Sequence, residues 1–598
     1  MCIRDSILLL SANIITAGGN VTLVGSDINI NNAILAGGGN VYIYPSGTGR
    51  TIALAAGVGY GAFRLSNGEV GNVDTSGLLT VGNANSGTIT VGNLSQPGLN
   101  LALITNDAIQ EQGADSGIDI TAANLYMQAA NGIGDGNALE TEVSNLDALN
   151  TGSGNIELVN NGDLTIGTVT NVGGDVNIEV NSNLYLGEVS GAEVLLSANT
   201  GSIIDNNAGL GNIEAVNAVL QALSGIGSGD EIETNVINLS AQVIDAGASG
   251  NIEIKDFSDL TLADLAGWGY AVRNYGLGDI IIETGGDLDV NDDVMADNGE
   301  INLSAYDAIN QNGSNISTNG GNITITADNT DSGLSGCGFY QAGTATVDAG
   351  GGSITVKGTE IGITNLVSIG GQINAIATTG DIYDAGDILP DIVTDNLILE
   401  AEEGIGDGNA IETEVSNLDA LNTTSGNIEI DNTGALTLVD LNSDGYAVNN
   451  ANGEVIISAT SPLTVSSKVN AGSDIDLTAG NSANAGDDLT VNADITSNAG
   501  EINLTAGDNI TQANGTTIQT NGGSISIAAD NEADGSGGVI QVGTARIISN
   551  GGDVEITADT GPSIGGEDIR LTLVNADSGD VFIGSGLGSI LDNDSTDD

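Results

Sequence analysis

Histidine is missing altogether from this 598-residue chain, and lysine and arginine together number only 9. Without imidazole there is no Ser-His-Asp or Cys-His nucleophile system and no imidazole metal ligand. Against the 9 cations stand 79 acidic residues, a formal net charge of -70. Lys255, Arg273, Lys357, Lys468 and Arg546 lie far apart in sequence, whereas nucleic-acid binding needs clustered cations on phosphates, so DNA and RNA are excluded as partners. The same balance disfavours docking on anionic lipid. No uninterrupted apolar stretch of about twenty residues is present to span a bilayer, so no membrane insertion is expected of this region. The two cysteines, Cys2 and Cys337, give no disulfide framework. With 5 prolines the 90 glycines do not signal collagen, and 3% aromatics are too few for the cores of tandem sandwich domains.

What is present is aliphatic and repetitive. Hydrophobic residues make up 40% of the chain, too many for a disordered polyanion. A Gly-rich turn followed by a short alternating strand returns at Gly18-Gly19-Asn20-Val21-Thr22-Leu23, Gly38-Gly39-Asn40-Val41-Tyr42-Ile43, Gly173-Gly174-Asp175-Val176-Asn177-Ile178, Gly320-Gly321-Asn322-Ile323-Thr324-Ile325 and Gly551-Gly552-Asp553-Val554-Glu555-Ile556. Neighbouring copies are often about twenty residues apart, the spacing of stacked coils rather than of separate domains. In Asn322-Ile323-Thr324-Ile325 the apolar residues take every second place, so one face of each strand is buried. Asn319-Gly320, Asn521-Gly522, Asn550-Gly551 and Asp135-Gly136 supply tight turns too frequently for helices of useful length.

Longer duplications lie above this repeat. Gly132-Ile133-Gly134-Asp135-Gly136-Asn137-Ala138-Leu139-Glu140 returns almost unchanged from Gly404, with a weaker copy from Gly225. Two long blocks, near 225–375 and 404–565, run in parallel. Their offset is 176 at Gly-Tyr-Ala-Val (Gly269 to Gly445) and 201 at Gly-Glu-Ile-Asn-Leu (Gly299 to Gly500), a gain of 25 residues. A solenoid absorbs one extra coil because each rung contacts only its neighbours; a closed barrel or a sandwich does not.

The expected fold is therefore all-β, a right-handed parallel β-helix read as a single rod over residues 7–598, each coil holding two or three short strands. Left-handed β-helices need a hexapeptide period and calcium β-rolls a Gly-Gly-x-Gly-x-Asp nonapeptide, and neither is found. Some 25 coils at about 4.8 Å would extend on the order of 120 Å. Met1-Cys2-Ile3-Arg4-Asp5-Ser6 shows none of the repeat, resembles translated sequencing-adapter sequence and is set aside. Ile7 to Leu10 reads as a strand rather than as the end of a signal peptide.

The strands at Gly39-Asn40-Val41-Tyr42-Ile43, Gly500-Glu501-Ile502-Asn503-Leu504-Thr505-Ala506 and Gly523-Ser524-Ile525-Ser526-Ile527 resemble the repeats of filamentous-haemagglutinin-like exoproteins, β-helical adhesins of Gram-negative bacteria secreted by the two-partner route or as autotransporter passengers. The resemblance implies an extracellular or cell-surface structural adhesin, a secretion transporter as export partner, and a host or neighbouring-cell surface, protein or glycan, as the contact partner. No catalytic residue, cofactor-binding residue or metal ligand is assigned and no cofactor is expected, although calcium is the most plausible ion.

Weighed singly, the remaining clusters have ordinary readings. Asp292-Asp293 and Asp487-Asp488 could serve a polysaccharide-acting enzyme as acid and base, but adjacent strand residues point to opposite faces. Asp287, Asp289, Asp292 and Asp293, and Asp328, Asn329 and Asp331, offer the hard oxygens calcium prefers, yet match no EF-hand loop and read as solvated acidic surface. Gly-Ile-Gly-Asp-Gly at Gly132 and Gly404 looks like a phosphate loop, but no lysine follows, and it reads as a turn. Trp268, Tyr270 and Tyr275 near Arg273 suggest a sugar platform or, better, a packed edge over a coil.

Overall fold

In a computed structural model the chain forms a parallel β-solenoid of about 25 turns, with 55% of residues in strands and 1% in helix. The structure describes residues 7–57, 59–113, 116–328, 336–386, 390–480, 486–530, 537–558, 568–586 and 588–593. Two compact units are distinguished: one runs to Gly285 and takes in Met295–Gly299, the other comprises Gly286–Val294 and the chain from Glu300. Ile7–Leu10 is a strand, as its sequence reads. Among the described residues no helix is long and apolar enough to cross a membrane.

In the first unit the strand Val176–Val180 pairs in parallel with Ile156–Asn160 on one side and Glu193–Ala198 on the other. Val176 faces Ile156 and Val194 in register, and all three are fully buried. Inward columns of this kind follow directly from the two-residue period, since a one-residue slip would turn every aliphatic side chain outward. The single helical turn among the described residues of this unit, Asn67–Gly71, is held by a capping box in which the Ser66 N–H donates to Glu69 Oε2 at 2.9 Å. Glu69 Oε1 also accepts the Ile30 N–H (3.1 Å), tying the turn to a strand.

The second unit repeats the scheme. Val455, Ile475, Ile502, Ile525 and Val554 stand over one another at the start of successive paired strands and are at most 1% exposed. Each such aliphatic side chain contributes about 1.5–3 kcal/mol relative to an exposed one. The 25-residue gain also has its place: six strands lie between Gly-Tyr-Ala-Val and Gly-Glu-Ile-Asn-Leu in the later block (Val455–Ala459, Leu463–Val465, Lys468–Ala471, Ile475–Ala479, Leu489–Val491, Ile495–Ser497), against three in the earlier (Ile280–Thr284, Leu288–Val290, Val294–Ala296). The insertion is one complete three-strand coil.

The Asn or Asp that follows Gly-Gly has a structural task beyond the turn. Its side-chain oxygen accepts a backbone N–H from the next coil: Asn40 to Asn20 (2.9 Å), Leu78 to Asn40 (3.0 Å), Glu193 to Asp175 (3.2 Å), Ser353 to Asn322 (2.9 Å) and Asp580 to Asp553 (2.8 Å). Much of the Asn and Asp content is thus spent on stacking, where a strand would otherwise begin with an unpaired donor.

A second lock sits inside the corners. Asn432 Oδ1 accepts the Thr413 hydroxyl (2.9 Å) and the Val415 N–H (2.9 Å), and Asn160 does the same for Thr141 and Val143. In the middle copy Asp256 takes the role, accepting from Thr234 (2.7 Å) and Val236 (3.0 Å). Asn432 and Thr413 are both 1% exposed, so Asn432→Ala strands a buried N–H and a hydroxyl. The expected cost is about 1–3 kcal/mol per stranded group. An unchanged urea midpoint in that variant would show that the lock is dispensable.

Candidate functional site

The duplicated Gly-Ile-Gly segments build one arrangement three times. Gly134, Gly227 and Gly406 adopt φ of +66°, +63° and +65°, and their N–H groups donate to Ile109, Ile203 and Ile382 carbonyls of the preceding coil at 2.8, 2.9 and 2.8 Å. A Cβ at any of the three would lie 2.3–2.4 Å from a carbonyl oxygen of the following coil, so glycine is required. This is a turn, as its sequence reads, and it is not a phosphate loop. Its product is positional: the residue three places on (Asn137, Asp230, Asn409) and the glutamate six places on (Glu140, Glu233, Glu412) lie above a corner of the coil before.

That corner carries acids of its own. Glu111, Asp119 and Glu140 each bring a carboxylate oxygen within 4.8 Å of the others, and so do Asp384, Asp391 and Glu412. Asp391 is fully buried, and Asp384, Glu111 and Asp119 are nearly so. The Glu412 N–H donates to Asp391 Oδ2 at 3.1 Å and the Glu140 N–H to Asp119 Oδ2 at 3.2 Å. Asn409 Nδ2 donates to Asp384 Oδ2 and Asn137 Nδ2 to Glu111 Oε2. Burial pushes the Asp391 carboxyl up to about 9, with the Asp384 charge adding to it, and burial pushes Asp119 up to about 8 against the opposing Glu140 N–H. Burial likewise raises Glu412.

In the middle copy Asn212 stands where Asp119 and Asp391 stand. Its Oδ1 accepts the Glu233 N–H at 2.8 Å, as the aspartates do, while its Nδ2 donates to Asp205 Oδ1 (2.6 Å) and to the Leu186 and Gly187 carbonyls (3.2 and 3.3 Å). An acid, Asp230, occupies the place of Asn137 and Asn409. Asp and Asn have exchanged positions, and each copy keeps three acids at these places. Burial raises the Glu233 carboxyl, with Asp205 adding to it.

Several of the acids singled out in the sequence accept hydrogen bonds from the following coil. Asp287 Oδ1 accepts the Ala308 N–H (2.9 Å), Asp293 Oδ1 accepts Asn315 N–H and Nδ2 (2.8 and 3.1 Å), and Asp289 accepts Asn310 Nδ2 (2.9 Å). Asp487 is buried, whereas its neighbour Asp488 is half-buried and accepts Asn509 N–H and Nδ2, both at 3.0 Å. The second proposed calcium group is not seen whole: Asp328 is buried at φ +51°, and Asn329 and Asp331 lie outside the described residues.

The aromatic group is a packed edge. Tyr270 is buried, its hydroxyl donates to Gln242 Oε1 at 2.6 Å, and its ring meets Trp268 at 6.0 Å and Tyr275 at 6.2 Å. The Arg273 guanidinium lies 3.9 Å from the Tyr275 ring centroid and pairs with Asp297 at 3.1 Å. Its polar and cationic groups are thereby directed inward or to a neighbour.

Two open grooves are lined in part by exposed aliphatic side chains. One, of about 520 Å³, is lined by Val172, Val216, Ile237 and Glu214 among others; the other, of about 370 Å³, by Ile369, Val393 and Glu414 among others. No family model, no curated protein and no solved structure matches this chain.

Proposed function

We propose that this protein is a secreted or cell-surface β-solenoid of the filamentous-haemagglutinin-like kind, a non-catalytic acidic scaffold that carries a contact surface for a host or neighbouring cell. The observation that supports it best is the use made of the polar residues: the asparagines and aspartates after the Gly-Gly turns pair with the next coil instead of converging on a cleft. The described cysteine, Cys337, is a buried free thiol, which suits export as an unfolded chain. The open grooves with exposed valine and isoleucine are the natural contact surface of such a scaffold.

Chain immobilised on beads is expected to bind cells or a glycan array saturably, with competition by soluble chain, and to release no product from acidic or neutral polysaccharides. Polysaccharide turnover abolished by substituting Asp487 and Asp488 would overturn this reading in favour of a β-helix enzyme. Absence of competable binding to any surface would remove the adhesive role.

A further inference from the structure

We infer that Asp384, Asp391 and Glu412, and in the earlier copy Glu111, Asp119 and Glu140, form two buried binding sites for a hard divalent cation, with calcium the best match. The inference goes beyond the adhesive reading and does not depend on it. Its first support is an unmet oxygen. Asp391 is fully buried and its Oδ2 accepts the Glu412 N–H, but Oδ1 receives no hydrogen bond, and neither does Glu412 Oε2. One carboxylate oxygen from each of Asp384, Asp391 and Glu412 lies within 4.8 Å of the other two, and a buried carboxylate oxygen without a donor in such company calls for a proton or a cation.

The second support is internal to the chain. In the middle copy Asn212 keeps the backbone contact of Asp391 and turns an N–H₂ group toward Asp205 and two main-chain carbonyls. The Asn212 amide thus meets Asp205 as Asn409 meets Asp384 and Asn137 meets Glu111, while Glu233 Oε2 is left without a donor. In the other two copies Asp119 and Asp391 put a carboxylate where the Asn212 amide stands, the place an ion would take. The donor set is all oxygen, with no sulfur or imidazole, which selects calcium or magnesium over zinc or copper. Irregular carboxylate clusters that leave few places for bound water suit calcium better than magnesium, which demands octahedral geometry and keeps its waters. A proton shared among the three carboxyls is the competing occupant, and it predicts a different result.

Equilibrium dialysis of the intact, chelator-treated chain against micromolar calcium at physiological ionic strength decides between them. The expected result is two ions bound per chain above the weak background of the acidic surface, none in Asp119→Asn/Asp391→Asn, and one more in Asn212→Asp/Asp230→Asn, which rebuilds the pocket in the middle copy. Because Asn212 shows that the corner accepts asparagine, the loss variant should retain its far-ultraviolet spectrum, and its thermal midpoint should no longer rise with calcium beyond matched ionic strength. Equal binding by wild type and the loss variant, or no micromolar binding by wild type, would overturn the inference and leave the pockets to protons.

Discussion

Gly523→Val is expected to open the coil stack where it stands, with urea unfolding of that stretch beginning at a lower concentration than in wild type: a loss of about 3 kcal/mol or more, the upper range for overpacking. The cause is a column of glycines. A Cβ on Gly523 would lie 1.9 Å from the Gly500 carbonyl oxygen, one on Gly552 2.1 Å from the Gly523 oxygen, and one on Gly579 2.1 Å from the Gly552 oxygen. These neighbours are backbone, which cannot swing aside as a side chain does. Alanine at 523 already clashes, and valine adds two methyl groups at the same place. Gly522 provides the contrast: a Cβ there meets nothing closer than 4.0 Å, but its φ is +105°, so Gly522→Ala pays only the strain of a left-handed backbone, roughly 1–2 kcal/mol. Because each coil leans only on its neighbours, the damage should stay local. Limited proteolysis of Gly523→Val is expected to cut between Gly500 and Gly552 first while the first unit stays protected. Wild-type resistance across that stretch would show that the coils separate at little cost.

The same column shows what can be read from the chain itself. Gly-Gly followed by Asn or Asp and an alternating strand announces a turn and a half-buried strand, and the coil period announces stacking; both are local patterns and both appear in the structure. The 25-residue gain is legible for the same reason, since a whole coil can be added without disturbing register. Glycine's second role, making room for the coil below, is invisible locally because the atom it avoids lies some twenty residues away.

The carboxyl clusters escape sequence reading by the same geometry. Asp391 and Glu412 are a coil apart, as are Asp119 and Glu140, and in a chain with 79 acids such pairs do not stand out. The crowded acids at Asp287 to Asp293 do stand out, yet Asp287 and Asp293 accept N–H groups of the next coil. A signal for the true clusters was available: aligning the three Gly-Ile-Gly copies exposes the Asp-to-Asn exchange at 119, 212 and 391 and its reverse at 137, 230 and 409. Trp268 and its neighbours were legible as an edge because the later block keeps Tyr446 while replacing Trp268 by Asp444 and Arg273 by Asn449, so the fold does not need the platform.

Asp419→Ser is expected to flatten the pH dependence of stability between about pH 4 and 6, and to leave the variant more stable than wild type above that range relative to their difference at low pH. Asp419 is 1% exposed, and its Oδ2 accepts the Leu441 and Asn442 N–H groups at 2.7 and 3.1 Å. Burial nevertheless dominates and pushes its carboxyl from 3.8 up to about 6, with Asp444 and Asp440 adding repulsion. A carboxyl that holds its proton more tightly folded than unfolded stabilises the fold fully below pH 3.8, and that contribution is lost as the pH rises through 6. The slope is about 1.4 kcal/mol per pH unit, so the window is worth roughly 3 kcal/mol. The substitution has a precedent within the chain: in the earlier block Ser240 occupies the same corner, its hydroxyl accepting the Leu265 N–H at 2.9 Å and donating to the Ala263 carbonyl at 2.5 Å. Serine therefore replaces the carboxylate without stranding the N–H of residue 441. Urea midpoints of wild type and Asp419→Ser, taken at pH 4 and pH 7, give the comparison directly. If the two chains lose stability in parallel over that interval, Asp419 is already ionised in the folded protein, and the two main-chain donors outweigh its burial.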